Sequence, residues 1–96
     1  MKPSIALRDH RDAIRRIVES NRAANARLFG SAATGDDSED SDLDLLVDAT
    51  ADTTLFDLGA IRAELEELLG VPVDVLTPAA LPAPLRRAVL AQAVPL

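Results

Sequence analysis

The chain has 96 residues, and 16 Asp and Glu against 10 Lys and Arg give it a formal net charge of -6. That length supports one hydrophobic core and a single domain, 1–96, with no room for a separate substrate domain. The charge repels phosphate backbones, so it argues against direct nucleic-acid binding and for a basic partner or a cation, while the absence of cysteine removes disulfides, thiolate metal sites and thiol nucleophiles and fits a reducing cytoplasm.

The opening "MKPSIALRDHR" has no apolar run of signal-peptide length, and no later stretch is long enough to span a bilayer, so the chain reads as soluble and cytoplasmic. From Ser4 to about Asn21, Ile5, Ile14, Ile17 and Val18 are placed on one helical face behind Pro3, a favoured first helical residue. Arg8, Arg11, Arg15 and Arg22 fall on another face and read as solvated. His10 has no second imidazole or thiol with which to share a metal. "NARLFG" is a strand ending at Gly30, and "LDLLVD" a second strand. "TTLFDLGAIRAELEELLG" sets Leu55, Leu58, Ile61, Leu65, Leu68 and Leu69 at steps of three and four, with threonine at the start and Gly70 as the stop. "VPVDVL" is a third strand, and "TPAALPAPLRRAVLAQAV" holds a turn and a last helix with Leu85, Val89 and Leu90 inward. Aromatic residues are 2% of the chain, so Leu, Val, Ile and Ala form the core, with Phe29 and Phe56 as its only large rings. The alternation of helices and strands predicts an α/β domain in which helices cover a small sheet.

The acidic stretch between the first two strands carries the chemistry. Residues two apart on a strand share a face, so Asp42 and Asp44 point one way while Leu43, Leu45 and Val47 point the other. On the third strand Asp74 stands opposite Val71, Val73 and Val75, and if the two strands are neighbours it joins the first pair. Three carboxylates in one small volume repel and raise one another's pKa values unless a proton or cation compensates. Magnesium suits such hard oxygen ligands, and two ions bridging the three aspartates can activate an attacking oxygen and stabilise a leaving pyrophosphate. Gly30 and Ser31 form the phosphate end: glycine admits an anion close to the backbone, and serine can cap the next turn and offer its hydroxyl. Asp40, Asp42 and Asp44 imitate the opening of a calcium-binding EF-hand loop, but Leu45 stands where that loop needs glycine. Asp36, Asp37, Glu39 and Asp40 read as a solubilising loop.

"LFGSAATGDDSEDSDLDLLVD", followed by "VPVDVLTPAALPAPLRRAVLAQAV", resembles the minimal nucleotidyltransferases, the short branch of the DNA polymerase beta nucleotidyltransferase superfamily, over about residues 27–94. The resemblance implies a small mixed β-sheet flanked by helices, with ATP as substrate and two Mg2+ ions. It implies catalytic and metal-binding carboxylates at Asp42, Asp44 and Asp74, and nucleotide contacts at Gly30 and Ser31. It further implies an antitoxin in a hetero-oligomeric complex with a HEPN-domain ribonuclease toxin, silenced by transfer of AMP to a toxin tyrosine. The alternatives are an antitoxin that masks its toxin by contact and, behind it, a small-molecule nucleotidyltransferase, which would need more structure to hold its acceptor. Where such proteins usually carry basic residues after Gly-Ser, this chain has Ala32, Ala33 and Thr34, so one source of triphosphate neutralisation is missing.

Overall fold

The computed structural model describes every residue, Met1–Leu96. The chain opens with two helices, α1 (Pro3–Ala6) and α2 (Arg11–Ser20), rather than the single one expected. Pro3 does start α1, but the amide and hydroxyl of Ser4 each donate to the carboxylate of Asp37 at 2.8 Å, tying this first turn to a distant loop. The chain then turns at Leu7 to Asp9, with Ala6 and Leu7 entering the core. Ile14 and Val18 are fully buried, whereas Ile5 is 46% exposed. Even in one continuous helix its separation from Ile14 would amount to about two and a half turns and put the two on opposite faces, so the shared face expected for them does not exist.

The remaining elements are β1 (Ala23–Phe29), α3 (Ser31–Thr34), β2 (Leu43–Ala49), α4 (Leu55–Leu69), β3 (Val73–Leu76), a 3₁₀ turn (Pro78–Ala80), α5 (Ala83–Gln92) and β4 (Val94–Pro95). The sheet runs β3-β2-β1-β4, with β1 antiparallel to β2 and β4, and β2 parallel to β3. This is the mixed α/β sheet the sequence predicts, but with a fourth strand where the last helix was expected to continue through Val94. Pro95 lacks an amide hydrogen and therefore fits only an edge such as this one. No helix is long and apolar enough to cross a membrane.

One face of β2 and β3, made by Leu43, Leu45, Val47 and Val73, packs on Ile61 and Leu65 of α4 and Ile14 and Val18 of α2, all buried. Truncating a side chain such as Leu65 to alanine costs about 2–5 kcal/mol in a site of this kind. Two expectations about α4 are corrected. Leu55 and Phe56 are 85% and 90% exposed, so Phe56 is not a core ring, and Leu68 is exposed as well. The inward position of the first turn belongs instead to Asp57, which closes a capping box with Thr54 and accepts Arg22 Nη1 at 2.9 Å. Gly70 ends α4 in the left-handed conformation, as its residue type predicts. Helix α5 buries none of its residues, and Leu85 and Leu90, expected inward, face solvent. Leu46, on the face opposite the core, is nonetheless fully buried, because the 3₁₀ turn covers that end of the sheet beside its cross-strand partner Leu76.

Candidate active site

The sheet register brings the singled-out residues to one corner. Phe29, the last residue of β1, is paired with Asp44, and Asp44 is paired across the parallel ladder with Asp74. The chain leaves β1 at Gly30 with φ 70° and ψ -153°, a conformation open essentially to glycine alone. A Cβ there would also collide with Asp44 Oδ2 and lie 3.3 Å from Asp44 Cγ. The space beside Gly30 is thus taken by a carboxylate of the chain itself, so glycine is required before any phosphate is considered. Ser31 occupies the first position of α3 after Gly30, so its hydroxyl is not the cap that the sequence suggested; the carbonyl of Gly30 starts the turn by accepting Ala33 N–H at 3.2 Å.

Asp42 lies immediately before β2, exposed, while Asp44 and Asp74 are half-buried on their strands. Its position is held from both sides: Ser38 N–H donates to Ser41 Oγ at 2.9 Å in the preceding loop, and Leu43 N–H donates to the carbonyl of Pro72 at 2.8 Å. Burial, and then the neighbouring charges of Asp74 and Asp42, push the Asp44 carboxyl above its ordinary value of 3.8. No hydrogen bond offsets the push. Asp44 thus bears the charge of both neighbours, yet no set of three acidic or imidazole side chains closes into a ready-made cage.

Cations are scarce here. Arg27 is turned away from the corner, donating to Asp48 at 2.6 Å and to the carbonyl of Asn25 at 3.1 Å. Asn25 itself donates to Asp48 at 2.9 Å, fastening the bulge between Ala24 and Arg27. Arg86 is spent on the carbonyls of Pro78 and Leu81 at 2.8 and 3.0 Å, where it holds the 3₁₀ turn. The cation that shares a cleft with Asp74 is Arg62 of α4, whose partner Glu66 stands 3.7 Å away. Sequence reasoning passed over Arg62 because it sits in a regular helical charge pattern. It also assigned Asp37 to a solvated loop, although Asp37 is buried; the serine that satisfies it is 33 residues away, so no local pattern shows the contact.

The chain matches the model of the nucleotidyltransferase domain family over residues 7–96. It is 43% identical over 61 residues to a protein of Methanocaldococcus jannaschii named as a protein adenylyltransferase; the match covers 64% of this chain and 66% of that one, just under two thirds of its length. A solved structure of a minimal nucleotidyltransferase superposes with a TM-score of 0.88 and 42% identity, covering 97% of this chain and 95% of that one. A toxin–antitoxin complex solved with AMP-PNP superposes at a TM-score of 0.75, covering 88% of this chain and 70% of that one, and its 22% identity makes it a likeness of fold.

Proposed function

Because the chain belongs to the nucleotidyltransferase domain family, in its minimal form, we propose that it is an antitoxin that transfers AMP from ATP to a tyrosine of a cognate HEPN ribonuclease toxin. The observation that carries this reading is the corner where Gly30, Asp44 and Asp74 meet in register, with Asp42 two residues from Asp44. The relatives add two supports: one is named as a protein adenylyltransferase, and one shared fold occurs in a toxin–antitoxin complex with an ATP analogue.

In the reaction, the acceptor oxygen attacks the α-phosphorus of ATP. The bond from that phosphorus to the bridging oxygen breaks, and pyrophosphate leaves. Asp74 orients the acceptor hydroxyl and takes its proton. Gly30 and Ser31 hold the phosphates, with the Ser31 hydroxyl free of capping duty. Magnesium fits the donor set, because it is commonly held by one or two carboxylates together with substrate phosphates rather than by a complete protein cage; held by Asp42, Asp44 and Asp74, it would supply charge neutralisation at the triphosphate and leaving group. The chain contains no tyrosine, so a tyrosine acceptor lies on another protein.

A second reading has its own observation. With Ala32, Ala33 and Thr34 after Gly-Ser and Arg27 locked to Asp48, the phosphate end has no cation of its own, which favours an antitoxin acting by contact. The toxin encoded beside this chain, incubated with it, ATP and Mg2+, separates the two. Transfer predicts a toxin heavier by AMP units on tyrosine and without ribonuclease activity, both lost with Asp42→Asn. A toxin inhibited yet unmodified, by wild type and Asp42→Asn alike, establishes masking instead.

A further inference from the structure

Between α4 and β3 lies an open cleft of about 430 Å³, lined by Leu55, Leu58, Gly59 and Arg62 on one side and by Asp74, Val75 and Leu76 on the other. It runs across the free edge of the sheet, since β3 is the outermost strand. Leu43 N–H donates to the Pro72 carbonyl, and this sets the phase of the parallel ladder: Pro72, Asp74 and Leu76 turn their backbone groups to β2, while Val73 and Val75 turn theirs outward. The Val73 amide is already taken, by Glu66 Oε2 at 3.0 Å. The Val75 amide and carbonyl are left at the open edge.

Gly59 gives a second, independent sign. A glycine inside a helix is less favourable than alanine, because it loses more backbone freedom on folding. A Cβ at Gly59 would meet no atom within 4 Å, so nothing in the chain forbids alanine there. The bare backbone leaves the cleft open for close approach by something outside the chain. Leu55, 85% exposed, adds an apolar wall at the same place.

We propose that this cleft docks an extended segment of the acceptor protein, which pairs with Val75 as an added strand and so carries its hydroxyl residue to Asp74. The inference rests on the transfer reading for the role of Asp74, but the docking is a statement about binding. A main chain offers the donor and acceptor that Val75 lacks, and its alternate side chains suit walls that are apolar at Leu55 and Leu58 and cationic at Arg62. Continuity with Asp74 favours the acceptor over a second copy of this chain, which has no tyrosine to present there. Edge pairing also explains how a domain too small for a substrate-binding lobe holds a protein: it lends a sheet edge and lets the partner supply the strand.

The test uses the toxin encoded beside this chain as the probe. Amide exchange of Val75, followed by NMR, should slow at least about tenfold in the complex, as pairing into a ladder protects an edge amide. Gly59→Leu, which fills the cleft from an open helical position, and Arg62→Glu should each weaken toxin binding by about tenfold or more, the effect of losing one anchoring contact. Leu90→Ser, an exposed change on α5 outside the cleft, should keep wild-type affinity. Wild-type affinity in both cleft variants, or unprotected Val75 in the complex, overturns the proposal. A chain that dimerises through this edge, losing the dimer with Gly59→Leu, overturns it in favour of a second copy. A toxin that docks in the cleft and receives no AMP leaves the docking standing and removes the transfer reading.

Discussion

Asp37 and Asp44 belong to the same acidic stretch, and the fold treats them in opposite ways. Burial pushes the Asp37 carboxyl up, but the amide and hydroxyl of Ser4 outweigh it and hold it below the ordinary value. Asp57, outside the stretch, follows Asp37: the Thr54 amide, against some burial and with help from the Thr54 hydroxyl and Arg22, keeps its carboxyl low. Asp44 receives no such donors and is pushed up by burial, Asp74 and Asp42. The first two carboxylates are joints: each fastens one element to another. The third is kept in an unfavourable state that folding does not relieve, which is how a group reserved for a ligand or a proton behaves.

The largest consequence concerns activity. Asp44→Asn keeps the side-chain shape and removes the charge, so AMP transfer to the toxin should fall to background while the fold persists. Asp37→Ala should transfer AMP at the wild-type rate per folded molecule, because the Asp37 carboxylate hydrogen-bonds to Ser4 and to none of the corner residues. Intact-mass analysis of the toxin over time measures both. A fully active Asp44→Asn protein would erase the distinction between the two kinds of carboxylate.

Stability should respond in the reverse order. Asp37→Ala removes two hydrogen bonds to a carboxylate and should cost about 2 kcal/mol or more in urea unfolding. Asp44→Asn, measured in chelator without nucleotide, should raise the urea midpoint, because it removes repulsion from Asp74 and Asp42. Opposite signs at two acidic residues in one loop-and-strand segment would be difficult to obtain from any general effect of net charge.

How much of this was legible in the sequence follows the range of the forces involved. Strand alternation placed Asp42 and Asp44 on one face and Asp74 on another strand's matching face, but their meeting was conditional on the strands being neighbours, and only the parallel pairing of β2 with β3 sets Asp44 opposite Asp74. Gly70 and Thr54 were legible because helix ends are local chemistry. The joints were not: Asp37 finds Ser4 and Asp57 finds Arg22 only after the sheet has formed. Periodicity also overcounted the core. A leucine at helical spacing is buried only where another element covers it, and nothing covers Leu55, Leu85 or Leu90. At the site, Gly30 was recognised for its type, but its immediate neighbour, the carboxylate of Asp44, emerges only from the pairing of β1 with β2.

The smallest effect, and the one that resolves the comparison most finely, is the pH dependence of stability in chelator. Asp37 and Asp57 have folded-state values below 3.8, so their stabilisation is fully present above that value and is lost as the pH falls through the lower folded-state values. Asp44 has a folded-state value above 3.8, so its contribution runs the other way. When the pH rises past 3.8 the unfolded chain loses that proton first, and the folded state is weakened until Asp44 has also ionised. Urea midpoints from about pH 3 to about pH 8 should therefore rise steeply on leaving acid and then sag slightly in the wild type. Asp44→Asn should keep the steep acid limb, which belongs to Asp37 and Asp57, and lose the sag. Magnesium with a non-hydrolysable ATP analogue at neutral pH should lift the wild-type midpoint through binding to the native state, and lift Asp44→Asn much less. A sag that survives in Asp44→Asn would assign the strained carboxyl to another residue of the corner, and an acid limb that disappears with Asp44 would merge the two classes of carboxylate into one.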